Sequence, residues 1–488
     1  MKKINKKGFT LIELLAVILI LGIIALIAIP TITKILDESK MGAFSSSTTE
    51  IAKIIEQECQ VSIIKNTGMV TEYRFEDGES LPSIPVKGQL PDKGYAVVNK
   101  DCQVSFNLEN NEYLSTKTYK EDRVNVISKK KSKVYGLKWD GNDVYTRLDD
   151  ALGMTANVGV DQTTPKNDFD NAEIYKDMVD VEDTYGNQFV TIPKFYIKKT
   201  VTGDVWEWRI SKVKKDKDYY LPSCFYDEVN SKELPYILVG KYDASETGGK
   251  LESKTGVKPL VDRNIDQFRT LATSNNQSGV TGYQLLDIHA LDAIQVLFYI
   301  EFATLNSQNL MFGYAKGNAE SIVSGTTDVV TASSGSKTSN TDGQNAMKYR
   351  GIENIYGNVW QVIDGINVDN TNSDFYISKD ASKYVSSNFT GSYSIISGYK
   401  KLNTDGFVTK MGYDSNFPFL QMPLTVGGNA GVKYGDYYYQ NADQGNKVLL
   451  FGGRWTNDSS VGISHFYLNY SSTRGELNVG SRLLKTAL

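Results

Sequence analysis

The chain has 488 residues, 40% hydrophobic and 23% charged, with a mean hydropathy of −0.33, which predicts a mostly soluble, globular protein of two or three domains. A net charge of −4 argues against general nucleic-acid binding, which needs a basic field to neutralise phosphates. With 2 histidines and 3 cysteines, a metal site built from these ligands is not expected; the 30 tyrosines fit either a recognition surface or plain β-structure.

The N-terminus is the most informative stretch. Lys2, Lys3, Lys6 and Lys7 precede Gly8, and an apolar run from Phe9 to Ile29 follows, broken only by Thr10 and Glu13. As a helix rising about 1.5 Å per residue, that run crosses a bilayer core. The lysines stay cytoplasmic, so the rest of the chain faces out as a single-pass protein. A secretory signal would place its small-residue cleavage site after the apolar stretch, whereas Gly8 lies before it. A plain anchor leaves Glu13 unexplained, because a carboxylate one turn into the bilayer needs a partner.

The segment Lys6-Lys-Gly-Phe-Thr-Leu-Ile-Glu-Leu-Leu, continuing to Pro30, resembles the class III leader and first helix of type IV prepilins, particularly Gram-positive ones. The resemblance covers roughly residues 1–60. It implies a leader at 1–8, cut by prepilin peptidase between Gly8 and Phe9, and N-methylation of Phe9. It implies a membrane and fibre-core helix at 9–30, with Pro30 at the family's helix-bending position. Its expected partners are the peptidase, the membrane before assembly, and other pilins afterwards. In the fibre, the Glu13 carboxylate would pair with the Phe9 amine of a neighbouring subunit, offsetting two buried charges at once.

Beyond Pro30, Ile32, Ile35, Leu36, Phe44, Thr48, Ile51, Ile54, Ile55 and Cys59 recur at three- and four-residue steps, predicting one helix from Phe9 to about Cys59, some 75 Å long. A small antiparallel-sheet head completes residues 31–121, with Gly94–Asn107 alternating as a strand. Cys59 and Cys102 fall in this unit, either as a disulfide or as two buried thiols. The segment 122–133, with Lys129, Lys130, Lys131 and Lys133, reads as a solvated linker.

Residues 134–488 form the expected distal domain. Strands are predicted at Val134–Lys138, Gln188–Lys199 and Val205–Ser211, helices near Asp262–Ala272 and Ala290–Leu305, and a mobile surface loop at Thr326–Gln344. Two segments stand out. One is Tyr349-Arg-Gly-Ile-Glu-Asn-Ile-Tyr-Gly-Asn-Val-Trp-Gln361; the other is Val448-Leu-Leu-Phe-Gly-Gly-Arg-Trp455, followed by a polar stretch and Gly480-Ser-Arg482. Together they resemble the C-type lectin-like fold in its formylglycine-generating-enzyme branch, which phage receptor-binding proteins also use. The core motifs span 230–488. Gln361 and Val362 depart from that branch's acidic residue and second tryptophan, and Phe451 stands at the start of the glycine motif in place of its usual arginine.

The overall expectation is an α+β chain: a long pilin helix with a small antiparallel head, then a C-type lectin-like α+β domain. Gly357, Trp360, Gly452 and Gly453 read as structural. The binding candidates are Trp455, Asn457, Asp458, Ser460, His465, Tyr467, Asn469, Tyr470, Ser472 and Arg474, aromatic anchors with adaptable polar groups between them, in an expected loop at 455–474. Formylglycine chemistry needs a distal cysteine pair, and only Cys224 is present there; His289 has no nucleophile motif around it. No enzyme activity or cofactor is therefore expected and no metal ligands are assigned; the fold resemblance admits calcium, but no contiguous acidic cluster calls for it. The expected role is a minor type IV pilin on the extracellular pilus, displaying an adhesin-like head at the tip for a glycan or protein ligand. The alternative is a structural pilin that primes assembly of a pilus, DNA-uptake or secretion system.

Overall fold

The computed structural model describes residues 11–486 except 69, 71, 76–87, 89, 120, 278, 279, 318, 340, 388, 432 and 441–444; within the first helix, the side chains at 22–25, 27 and 30 are also outside the description. The expected leader at 1–8, with Gly8 and Phe9, lies outside the described residues.

Helix α1 runs Leu11–Ile64, with Glu13 in its first turn. Its first half turns leucine and isoleucine outward: Leu11 is 84% exposed and Leu26 79%. Among the described residues no helix is long and apolar enough to cross a membrane. The expected span at 9–30 includes positions 9, 10, 22–25, 27 and 30, whose side chains are not described. The second half of α1 buries Phe44, Ile51, Ile55 and Cys59. It lies on a five-stranded antiparallel meander, β1 Glu72–Phe75, β2 Lys93–Val98, β3 Val104–Glu109, β4 Tyr113–Lys117 and β5 Asn125–Ser128. Asparagines make the tight turns, their side-chain oxygens imitating a backbone carbonyl. Asn99 accepts from the Asp101 and Gln103 amides, and Asn110 from those of Glu112 and Tyr113. Ile51 and Ile55 pack with Val98, Val104, Phe106 and Leu108. At about 1.5–3 kcal/mol for each fully buried aliphatic chain, this interface outweighs any intrinsic helix preference. Cys59 and Cys102 form a disulfide across it, with Cα atoms 5.6 Å apart.

The segment 122–133 is not a solvated linker. It supplies β5, paired with β4 from Tyr113↔Ser128 to Thr116↔Asn125. Lys129 then bonds Glu109 at 2.8 Å, and Lys131 approaches Asp37 at 3.7 Å. A four-residue strand is too short to leave a period, and its lysines look like linker charge until their acidic partners are known. The head and the distal domain also share a core. Tyr95 and Val97 of β2 join the cluster of Phe189, Tyr236 and Leu238, with the Tyr95 and Tyr236 rings 4.2 Å apart. Lys194 bridges Glu109 and Glu233, and Lys485 reaches Glu72 at 3.1 Å.

The distal domain is built from three main sheets. Strands 135–139, 145–149, 196–202 and 205–211 form one. A second is antiparallel, and the C-terminal strand Leu483–Thr486 lies between Tyr236–Gly240 and Tyr283–Leu285. The third has nine strands and contains Trp360–Asp369, Asn446–Phe451, Phe466–Ser471, Tyr437–Gln440 and Gly406–Met411. Helix α2, Ile265–Thr273, starts at a capping box between Asn264 and Gln267. Helix α3, Ile288–Phe302, is capped by Asp287, which accepts from the His289 and Ala290 amides. Sequence reading gives α3 one apolar stripe, yet all fifteen residues are buried, because strands 135–139, 205–211 and 360–369 surround it. The expected surface loop at 326–344 is partly internal. Thr327 is buried and, through its amide and hydroxyl, donates to Glu353, while Gly335–Ser336 is a buried strand. The fold is α+β.

Candidate ligand-binding face

The two signature segments meet in the interior around Arg482, whose side chain is fully buried. Its Nε donates to Gln361 Oε1 at 3.0 Å and its Nη1 to the Gly240 carbonyl at 2.8 Å. Its Nη2 reaches Asp243 at 3.0 Å and the Glu353 and Asn354 carbonyls at 2.8 and 2.9 Å. Gln361 explains one departure from the lectin-like signature. Its amide accepts from Arg482 and donates to Asn354 O at 2.9 Å, while Asp243 supplies the negative charge. Burial pushes the Asp243 carboxyl up to about 7, opposed by Arg482. Asn358, left-handed at φ +62°, donates to the other Asp243 oxygen at 2.8 Å. A Cβ at Gly452 would sit 3.1 Å from Tyr356 Cα, so glycine there permits the close approach in which the Gly357 amide bonds the Gly452 carbonyl at 3.1 Å.

This framework fixes the register of the neighbouring strands, and with it a row of rings. Tyr438 is buried while Tyr437 and Tyr439 are partly exposed; Phe466 and Leu468 are buried while Tyr467 and Asn469 are partly exposed. Alternation across the sheet therefore aims Tyr437, Tyr439, Tyr467 and Asn469 outward. Phe407, also partly exposed, is Tyr437's cross-strand partner, and Tyr439 is Tyr467's. Ring centroids run Phe407–Tyr437 5.0 Å, Tyr437–Tyr439 4.4 Å, Tyr439–Tyr467 5.7 Å and Tyr467–Trp360 5.1 Å. Trp360 anchors the inner end, 4% exposed and edge-on to His465 at 4.7 Å. Burial raises the Tyr437 and Tyr467 hydroxyls, helped by Asp405 and Glu476 respectively. Ring faces with hydroxyl and amide edges can stack against and hydrogen-bond a neutral ligand.

The expected loop at 455–474 is two different structures. Residues 466–471 are a strand inside the nine-stranded sheet, between 446–451 and 437–440. His465, Tyr470 and Ser472 are buried, so they support the face from within instead of presenting it. Burial holds His465 neutral, its acidity pushed to about 3. Trp455 belongs to the preceding turn. It is partly exposed, its amide bonded to Asn358 O at 3.1 Å and its carbonyl to the Gly317 amide at 2.6 Å. Asn457 accepts from the Arg454 amide, Ser460's carbonyl meets His465 Nδ1, and exposed Asp458 pairs with Lys316 at 3.0 Å. Arg474, 55% exposed at its side chain, pairs with Glu476. Of the predicted set, Tyr467 stands in the ring row and Asn469 beside it. Phe407, Tyr437 and Tyr439 went unrecognised. Their signal was the alternation of Tyr437-Tyr-Tyr-Gln440, but nothing local joins it to a strand thirty residues away.

Other features offer less. A cavity of about 510 Å³ lies between head and distal domain, lined by Arg74, Lys93, Lys194, Lys212, Glu109 and Glu233 among others. It shares no residue with the ring row, and Lys194 there is already held by both glutamates. Cys224 is buried, and burial pushes its thiol well up, away from a reactive thiolate. His289 is buried with Nε2 2.8 Å from Ser378 O. Among the described residues no group of His, Cys, Asp and Glu is placed to hold a metal ion.

Residues 3–29 match the prokaryotic N-terminal methylation motif. Over 99 residues, 20% of this chain and 82% of the relative, the sequence is 31% identical to the ComG operon protein 3 homolog of Bacillus licheniformis. Among solved structures, the U1 and P3c variants of Major Tropism Determinant each align with 80% of this chain and 81% of their own. Their identities are 10% and 11%, and the TM-score is 0.23 for both, too low to say anything further about the distal domain.

Proposed function

We propose that this chain, which belongs to the pilin family of the ComG operon protein 3 homolog, is a minor type IV pilin whose distal domain binds a surface ligand through the ring row. Prepilin peptidase would cut after Gly8 and leave a methylated Phe9 amine. Residues 9–30 would hold the protein in the membrane as a single span until assembly. The outward leucines and isoleucines of α1 would then exchange lipid for neighbouring pilin helices, with Glu13 meeting a neighbour's Phe9 amine. The bulk of residues 134–488 favours the fibre tip over a dense shaft. Membership of that family supports a structural rather than an enzymatic role.

The observation that carries the ligand reading is the partly exposed row Phe407–Tyr437–Tyr439–Tyr467, held from behind by buried Trp360 and His465. The meeting of both signature segments at Arg482 supports a C-type lectin-like arrangement. The test uses a chain lacking residues 1–28, probed on glycan and protein arrays. Joint Tyr437→Ala, Tyr439→Ala and Tyr467→Ala substitution should abolish the strongest hit with tryptophan fluorescence unchanged. Undiminished binding would move the site elsewhere. The shared head–distal core favours keeping the assembly-priming reading beside this one. Deleting 134–488 should leave fibres that no longer attach; loss of the fibres themselves would favour priming.

A further inference from the structure

The distal interior holds a fully buried lysine–aspartate contact. Lys199 stands on strand Tyr196–Thr202 and Asp292 in the second turn of α3. Their side chains are 0% and 2% exposed. Lys199 Nζ lies 2.5 Å from Asp292 Oδ1, and the Tyr220 hydroxyl donates to Oδ2 at 3.2 Å. Aromatic residues flank the pair's elements. Trp208 is Lys199's register partner and packs on buried Tyr299 of α3 at 5.6 Å, and Tyr220 is bridged to Ile197.

Two charges sealed in such a core lose more hydration than their attraction returns unless every remaining hydrogen bond is made. The neutral forms, amine and carboxylic acid, escape that loss. Burial acts in this direction on both groups, lowering Lys199 and raising Asp292 to about 6. In water an amine and a carboxyl group resist condensation because they ionise first into ammonium and carboxylate, neither of which reacts. A dry site removes that obstacle and holds the two groups in contact, replacing a bimolecular encounter.

We propose that Lys199 and Asp292 are joined by an amide bond. The Nζ lone pair attacks Cγ. Oδ1, adjacent to Nζ, leaves as water, carrying the carboxyl proton and one proton from Nζ. Oδ2 remains as the amide carbonyl and keeps the Tyr220 hydrogen bond, which also polarises it for attack. One C–N bond forms, one C–O bond breaks, and no oxidant or reductant is needed. Among the described residues, the other fully buried ion pairs are unsuited. Arg482 and Arg350 carry guanidinium groups, which stay charged and are not nucleophiles. Lys212, paired with Asp177, also lines the junction cavity. The bond would tie the central helix to a sheet 93 positions away in sequence, a brace for a domain carried at the end of a fibre. It does not depend on the ligand reading.

The experiment is intact-mass spectrometry of the reduced, denatured full chain purified in detergent. The mass should fall one water below that of the processed sequence, and peptide mapping should recover the Lys199 peptide joined to the Asp292 peptide. Lys199→Met should restore the full mass. Tyr220→Phe should leave a measurable uncondensed fraction in freshly made protein. A wild-type mass equal to the processed sequence would overturn the proposal without any variant having to fold. So would a lost water mapped to another pair.

Discussion

Replacing Arg482 tests the framework beneath the candidate face. Arg482→Met keeps volume but leaves the Asp243 carboxylate without its counter-charge and removes the Arg482 bonds to Gln361 Oε1 and to the Gly240 and Glu353 carbonyls, all in the interior, while Asn354 O keeps the Gln361 amide and Asp243 keeps Asn358. Removing one member of a buried ion pair costs about 3–5 kcal/mol. Each stranded carbonyl adds roughly 1–3 kcal/mol where water cannot reach it. The contributions overlap, so a loss of at least about 4 kcal/mol is expected, a large fraction of a typical domain's stability. Arg482→Lys keeps the charge without the planar fork and should lose less than Arg482→Met but more than the surface control below. All five tryptophans, Trp139, Trp206, Trp208, Trp360 and Trp455, lie in the distal domain, so fluorescence in a urea titration reports that domain alone. Arg474→Met is the matched control. It removes an exposed pair with Glu476 and should shift stability by no more than about 1 kcal/mol. If Arg482→Met unfolds within about 1 kcal/mol of wild type, the buried network does not hold the distal domain together.

The Cys59–Cys102 disulfide closes a loop of 43 positions, so breaking it with Cys59→Ser should cost the pilin head about 4 kcal/mol by chain entropy, read as earlier proteolysis of the head in denaturant. Denatured, unreduced wild type should offer one reactive thiol, Cys224, and reduction should raise that to all three. His465 has a folded pKa of about 3, below its ordinary value of 6.5, so the unfolded chain binds the extra proton and stability falls as pH drops through 6.5. At pH 4 this group alone contributes a loss of about 3.4 kcal/mol. His465→Phe should therefore lose less stability than wild type between pH 6.5 and pH 4; equal slopes would mean that His465 is not sealed. Glu13→Ala should leave the protein in the membrane fraction but deplete it from sheared pili, and normal recovery there would count against pairing with a neighbour's amine.

What could be read early was local. The N-terminal lysines, Gly8 and the apolar run needed only residue order, and the periodicity through Cys59 needed only the turn of a helix. The helices near 262–272 and 290–305 were visible within a few positions for the same reason. Burial around α3 was not, because an apolar stripe looks the same whether one sheet covers it or several elements enclose it. Lys129 and Lys131 misled for a related reason, since their acidic partners lie on β3 and α1.

The sequence by itself determined the prepilin character of the first sixty residues, the α+β class, and the two motif segments of the distal domain. Each depends on spacing within one short stretch. Only the tertiary structure decided which of those residues meet and which face outward. Arg482 finds Asp243 and Gln361 across more than a hundred positions, and Tyr467 faces out with Phe407, Tyr437 and Tyr439 while Tyr470 turns in. Side-chain direction in a sheet follows the register of strands paired from distant parts of the chain, and a shift of one residue would reverse every face.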